Sequence, residues 1–195
     1  MDSSSGRLPR RISVVGLSGS GKTTVARQLA RLADAPHVEL DALHWIYPDW
    51  SEPSDAEFAA AVEHALAGDA WVVEGNYRKV RAVYWSRVEM LVWLDLPLWV
   101  ITWRVLRRTL RRVRSSERLW GTQRESVRRA FLSYDSLWLW NIRTHRRRQR
   151  LCGKLGAELE HRGGQAVRLR SQRDVDRWLS RLANQKRSDR QEGLK

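Results

Sequence analysis

Eight residues near the start of the chain, Gly16-Leu17-Ser18-Gly19-Ser20-Gly21-Lys22-Thr23, have the types and spacing needed to hold phosphate. In the pattern G-x-x-x-x-G-K-[ST], glycines let the backbone wrap closely, its N–H groups converge on the phosphates, and a helix N-terminus adds partial positive charge. Gly16, Ser18, Gly19, Ser20, Gly21, Lys22 and Thr23 therefore form the expected nucleotide-binding set. Lys22 is placed to reach the β- and γ-phosphates, and the Thr23 hydroxyl to meet a Mg²⁺ ion whose remaining oxygens come mostly from the nucleotide. Thr24 closes the set, although its place suits a helix-surface residue as well.

Phosphoryl transfer at such a loop also needs a carboxylate near the metal, a group that positions the acceptor, and cations to neutralise the transferred phosphate. Three acids at the ends of expected strands compete for the first two roles: Asp41, Glu74 and Asp95. Arg104, Arg108, Arg111 and Arg112 recur every three or four residues, so several share one helix face. Such a cluster repels itself unless an anion bridges it, which makes Arg104 and Arg108 candidate catalytic residues on a lid over the nucleotide. Arg124, Glu125, Arg128 and Arg143 extend this site from the next helix, whereas Arg146-Arg147-Arg148 reads as surface. Of the 11 tryptophans, Trp45 and Trp50 are acceptor-pocket candidates. Trp99, Trp103, Leu106, Leu110 and Val113 read as a core stripe.

The elements that must position these residues alternate. Arg11 to Val15 is an expected strand that stops at the glycine loop, and Lys22 to Ala33 has helical spacing. His37 to Leu40 is a second strand, followed by an irregular stretch up to Pro53. Ser54 and Glu57 form a capping box for a helix ended by Gly68. Ala70 to Val73 and Met90 to Leu94 are near-continuous apolar runs, as in strands covered on two faces. A helix follows Pro97, Ser115 to Gly121 interrupts, and a second helical stretch runs from about Gln123 to His161 with a break near Gly153 or Gly156. Ala166 to Leu169 is the last strand, and a closing helix follows. This order predicts a three-layer α/β fold with a five-stranded parallel sheet and helices on both faces. Its ligands bind beyond the carboxyl ends of the strands. Residues 1–10 are expected to be flexible, 11–184 to form one domain with its lid at about 104–128, and 185–195 to be a disordered basic tail.

Five stretches together resemble a family. They are the glycine loop, His37-x-Glu39-Leu40-Asp41-x-Leu43-His44-Trp45, Trp71-Val72-Val73-Glu74-Gly75-Asn76-Tyr77, Val92-Trp93-Leu94-Asp95-Leu96-Pro97 and Arg168-Leu169-Arg170-Ser171. They look like the adenylate-kinase-related P-loop NTPases often labelled topology modulation proteins, over about residues 11 to 183. The resemblance implies a P-loop NTPase core with a helical arginine-bearing lid, and ATP with Mg²⁺ as cofactors. Segment Glu74 to Arg78 is similar to the Asp-Gly-x-Pro-Arg stretch of nucleoside monophosphate kinases. That likeness puts Glu74 near the metal with Thr23, gives Arg78 an acceptor phosphate, and brings Asn76 into the substrate set. Asp41-Ala42-Leu43-His44 resembles the acceptor segment of small-molecule kinases such as gluconate kinase. It implies that Asp41 orients or deprotonates an acceptor hydroxyl, with His44 and Trp45 beside it. Arg170 and Ser171 fall where related kinases cradle adenine, and Asp95 ranks below Glu74 as a metal partner.

Charge bounds the partners. The chain carries 36 Lys plus Arg against 22 Asp plus Glu, a net +14, and the excess lies wholly after Leu98. A cationic second half attracts polyanions, and composition does not choose among nucleotide phosphates, nucleic acid (weakly and non-specifically) and an anionic membrane surface. A single cysteine, Cys152, forms no intrachain disulfide and fits a reducing compartment. No stretch reads as a secretory signal or a membrane span, so the expected place is the cytoplasm, without membrane attachment, as a monomer or homodimer. The leading expectation is an ATP-dependent kinase (phosphotransferase) acting on a nucleotide or other small molecule. The alternative is a nucleic-acid-associated, ATP-binding regulator.

Overall fold

The β-rich run before the glycine loop becomes β1 (Arg11–Gly16), the middle strand of the sheet. A computed structural model of the chain describes residues 8–45, 52–115, 118–119, 123–124 and 137–192. Expectations for Trp50, Glu125 and Arg128, for the side chains of Arg112, Val113 and Arg124, and for residues 1–7 lie outside the described residues. After β1 come α1 (Lys22–Ala33), β2 (His37–Glu39), α2 (Leu40–His44), α3 (Asp55–Ala65), β3 (Trp71–Glu74), α4 (Arg78–Tyr84) and β4 (Met90–Leu94). The chain continues through α5 (Leu98–Ser115), a short ribbon of β5 (Arg118–Leu119) and β6 (Gln123–Arg124), then α6 (Leu137–His161), β7 (Gln165–Leu169) and α7 (Gln172–Glu192).

Five strands pair in the order β2-β3-β1-β4-β7, all parallel. The register sets Val14 opposite Glu74, Gly16 opposite Leu94, and Glu39 opposite Glu74. Side chains alternate across a strand, so one run of residues feeds two cores. Ile12, Val14, Val72, Val92 and Leu94 face α1 and α7 together with Val25, Leu29, Val175 and Leu179. Val15, Trp71, Val73, Leu91 and Trp93 face the opposite layer, where Phe58 and Val62 of α3, Val80 of α4 and Cys152, Leu155 and Leu159 of α6 close over them. Each such fully buried aliphatic or aromatic side chain contributes about 1.5–3 kcal/mol. A third, smaller cluster joins Leu17 of the loop to Leu96 and to Ile101 and Val105 of α5.

The expected capping box is present: Ser54 Oγ accepts the Glu57 N–H at 3.2 Å and Glu57 Oε2 accepts the Ser54 N–H at 2.9 Å. Elsewhere the structure departs from the sequence reading. The stretch after β2 is not wholly irregular, because α2 folds directly from Leu40 and carries Asp41 in its first turn. Gln123 begins no helix but pairs with Leu119 in the ribbon. Helix α6 runs unbroken through Gly153 and Gly156. Its stripe Cys152, Leu155 and Leu159 is buried, and that packing outweighs the roughly 1 kcal/mol cost of each helical glycine. Helix α7 continues to Glu192 instead of ending in a disordered tail at 185, and Lys186 ties it back to α1 by donating to the Arg31 carbonyl at 2.9 Å.

The largest departure concerns α5. Its buried side chains are Ile101 and Val105, while Trp99 and Trp103 are 74% and 59% exposed. A helix with two apolar stripes satisfies the periodicity whichever one it buries. The stripe that wins is the one the phosphate loop needs.

Candidate phosphate and acceptor site

The loop that leaves β1 takes backbone angles only glycine adopts freely: Gly19 has φ 86° and Gly21 φ 97°. A Cβ on Gly19 would lie 2.6 Å from Val105 Cγ2, so the loop is seated directly on α5. Gly21 precedes the first residue of α1 with no side-chain cap, and the opening amides of a helix lack intrahelical partners. Those amides are what a phosphate requires. Asn76 clamps the other end of the loop: its Nδ2 donates to the Gly16 carbonyl, and its Oδ1 accepts the Gly16 N–H at 3.4 Å. Arg104 closes a third side, with Nη1 donating to the Ser20 carbonyl at 3.4 Å and Nη2 to Gln172 at 2.8 Å.

Loop, sheet order and flanking helices together decide the architecture. This is a three-layer α/β P-loop fold. No family model matches the chain. Among solved structures it is similar to a shikimate kinase from Acinetobacter baumannii in complex with shikimate, with 16% identity over 92% of this chain and 94% of that one, TM-score 0.49. A shikimate kinase from Bacteroides thetaiotaomicron matches at 17% identity over 89% and 96%, TM-score 0.47. A gluconokinase from Sinorhizobium meliloti matches at 22% identity over 91% and 95%, TM-score 0.47.

Glu74, 3% exposed, ends β3 beside the loop. The Thr23 hydroxyl donates to its Oε2 at 3.1 Å, and His37 Nε2 meets its Oε1 at 3.1 Å. A hydroxyl and a carboxylate side by side are hard oxygen donors, which suits Mg²⁺. Asp95 is engaged elsewhere: Arg168 donates to its Oδ2 through Nε at 2.9 Å and through Nη2, and Gln149 donates to its Oδ1 at 3.0 Å. The two acids that compete in the sequence are thus separated by geometry, and Glu74 is the one beside Thr23.

Lys22 Nζ donates to the Leu17 carbonyl at 3.3 Å. Burial holds its pKa below the usual lysine value; Asp41 and Glu74 oppose that shift, and Arg148 and Arg108 reinforce it. Glu39, at the end of β2, is pushed above the usual carboxylate range by burial and by Glu74 and Asp41. Arg148 is lowered by burial in the first place and by Arg81 and Arg147, with Cys152 and Asp41 acting the other way. Two acids, from α2 and the end of β3, and two arginines, from α5 and α6, therefore act on one lysine.

Asp41 is exposed at the start of α2. The Tyr77 hydroxyl donates to it and accepts from Trp45, and burial together with Asp41 pushes the Tyr77 pKa far up. His44, 6% exposed, is not presented to the loop; its ring packs against Trp45, Phe58 and Tyr77 with centroids 4.7, 4.8 and 4.8 Å away. Arg78 is exposed on α4, and it is Arg81, one turn on, whose charge acts on Arg148. Thr24 and Arg170 are exposed. Ser171 Oγ accepts the Asp174 N–H at 3.1 Å, so it caps α7.

Sequence reasoning missed Arg148, Arg81 and Glu39. Arg146 and Arg147 are surface residues as expected, but Arg148 is half-buried. A signal existed: Arg148 stands four residues before Cys152, in line with the buried stripe through Leu155 and Leu159. Beside the loop a small pocket is lined by Gly16, Asn76, Asp95, His145, Arg148 and Gln149 among others. Leu17, Trp93, Leu94, Leu96, Ile101 and Cys152 make the rest of its wall apolar, and among the described residues the buried Nδ1 of His145 has no hydrogen-bond partner.

Proposed function

We propose that the protein is an ATP-dependent phosphotransferase whose acceptor is a small molecule carrying both a hydroxyl and an anionic group. One observation carries this reading: Lys22 of the phosphate loop is close enough to feel the charges of Asp41 and Glu74 and, in the opposite sense, those of Arg148 and Arg108. A site that only stores nucleotide has no need of a second cation group at the acceptor side or of an exposed carboxylate held by a tyrosine.

The amides from Gly19 to Thr23 and the Lys22 ammonium hold the β- and γ-phosphates. Mg²⁺, held near Thr23 and Glu74, would neutralise charge on the phosphate oxygens. Asp41, fixed by the Tyr77 hydroxyl, orients the acceptor hydroxyl and receives its proton as the new oxygen–phosphorus bond forms. The bond from the γ-phosphorus to the bridging oxygen breaks, and the electron pair stays on the leaving diphosphate beside Lys22. Arg108, with Arg104 over the loop, counters charge on the transferred group, while Arg148 and Arg81 hold the anionic part of the acceptor.

The test incubates the protein with ATP labelled in the γ-phosphate, Mg²⁺ and a panel of nucleoside monophosphates, sugar acids and hydroxy acids, beside Lys22→Ala and Arg148→Met. A labelled product that needs Lys22, and whose yield at low acceptor falls in Arg148→Met, supports the proposal. Background hydrolysis with every acceptor, together with salt-sensitive retention on nucleic acid, would favour the nucleic-acid-associated regulator instead.

A further inference from the structure

Helix α5 presents a second apolar stripe that, among the described residues, packs into none of the core clusters. Trp99, Trp103, Leu106 and Leu110 recur at intervals of four, three and four residues, so they share one face. The opposite stripe, Ile101 and Val105, is 1% and 4% exposed against the phosphate loop. In the outer one Trp99 is 74%, Trp103 59% and Leu110 46% exposed, with Leu106 half-buried between them. Between Leu98 and Ser115 there are six arginines and no acid, and Arg107 and Arg111 are exposed beside the stripe. A helix with tryptophan and leucine on one face and arginine flanking it is the pattern that lies in a lipid–water interface.

Charge decides between the possible occupants. A second copy of α5 laid on this face would set arginine against arginine with no acid on the helix to offset them. Single-stranded nucleic acid would use the tryptophans, but Leu106 and Leu110 offer no ring for a base to stack on. An anionic bilayer surface satisfies both halves of the pattern. We propose that the outer face of α5 docks the protein peripherally on membranes containing anionic lipid. The stripe lies in the interface plane while Ile101 and Val105 stay packed on the loop. This is attachment, not insertion, since among the described residues no helix is long and apolar enough to cross a membrane. It stands independently of the function proposed for the nucleotide site.

The full chain is sedimented with phosphatidylcholine vesicles prepared with and without phosphatidylglycerol. Retention is expected only with phosphatidylglycerol, lowered at least about tenfold in Trp99→Gln/Trp103→Gln and about fivefold per charge removed in Arg107→Gln/Arg111→Gln. The tryptophan variant is expected to keep the wild-type thermal transition and ATP binding, because both rings lie in solvent. Wild-type protein that stays in the supernatant at low salt overturns the proposal, as does equal retention of the tryptophan variant. A dimer, or retention on single-stranded RNA, that the tryptophan variant abolishes in the absence of vesicle binding overturns it in favour of that partner.

Discussion

Glu74→Gln removes one charge and almost no volume from the site. The carboxylate is 3% exposed and holds Thr23 and His37 at 3.1 Å each. In the variant the amide oxygen still accepts from Thr23, and the amide N–H₂ can donate to a His37 ring that changes tautomer, so the fold is retained. The charge that is lost lies beside the expected metal. Two unit charges 4 Å apart interact by about 4 kcal/mol at an effective dielectric near 20. A carboxylate acting through a hydroxyl or a water shell delivers less, about 10- to 100-fold in affinity, or about 1.4–2.7 kcal/mol. Calorimetric titration of ATP at fixed Mg²⁺ concentrations measures it directly: Glu74→Gln should bind ten- to a hundredfold more weakly, about the range given for outer-shell metal partners. In EDTA the difference should vanish or reverse, because repulsion between Glu74 and phosphate has gone. Asp95→Asn is the control. Its carboxylate is held by Arg168 and Gln149, so the change should cost about 1–2 kcal/mol of stability and leave the Mg²⁺ dependence alone. A Mg²⁺ dependence untouched in Glu74→Gln and lost in Asp95→Asn would refute the assignment.

Arg148→Met should raise the acceptor KM by about 10- to 100-fold, the worth of a charge-assisted hydrogen bond, with a smaller change in kcat; steady-state kinetics with the acceptor found in the panel decides it. Burial pushes the Cys152 thiol up to about 11 from 9.0. The unfolded chain therefore loses this proton first, and stability falls as pH rises from about 9 towards about 11; denaturant melts across that window, beside Cys152→Ala, measure the loss. Native Cys152 should also resist alkylation at pH 8 and react on unfolding. Gly164→Ala would put a Cβ 2.5 Å from Leu159 Cδ1 and 3.0 Å from the Glu89 carbonyl oxygen, so a loss of about 1–3 kcal/mol is expected in thermal or chemical melts.

The strands and the phosphate loop were legible because their signals are local. A near-continuous apolar run and a glycine pattern between strand and helix need no knowledge of what packs where. Helix α2 and helix α4 span 5 and 7 residues and escape periodicity, which needs several turns to register. The reversal on α5 has another cause: both its stripes are apolar, and only the loop geometry chooses Ile101 and Val105. Arg148 was hidden by its neighbours, since a run of three arginines reads as one solvated patch although a helix points them in three directions. Glu74 and Asp95 are both strand-end acids, and the sequence ranked Asp95 lower only through a resemblance. Their separation depends on Arg168, which β7 brings to Asp95 from 73 residues away.

The place of β1 in the sheet bears on how the chain folds. Among the described residues its neighbours are β3 and β4, which emerge from a ribosome long after it and after the whole loop-bearing helix α1. Contacts between Ile12 and Met90 are distant in sequence, and such topologies pay the loop-closure entropy late and fold slowly. During synthesis the glycine-rich segment is therefore an unanchored piece of chain until residue 94 is available, and nucleotide cannot template the early steps. It can stabilise only the finished sheet, by mass action on the native state. Nascent-chain truncations before Met90 should accordingly expose the strand to proteases that leave the completed sheet intact.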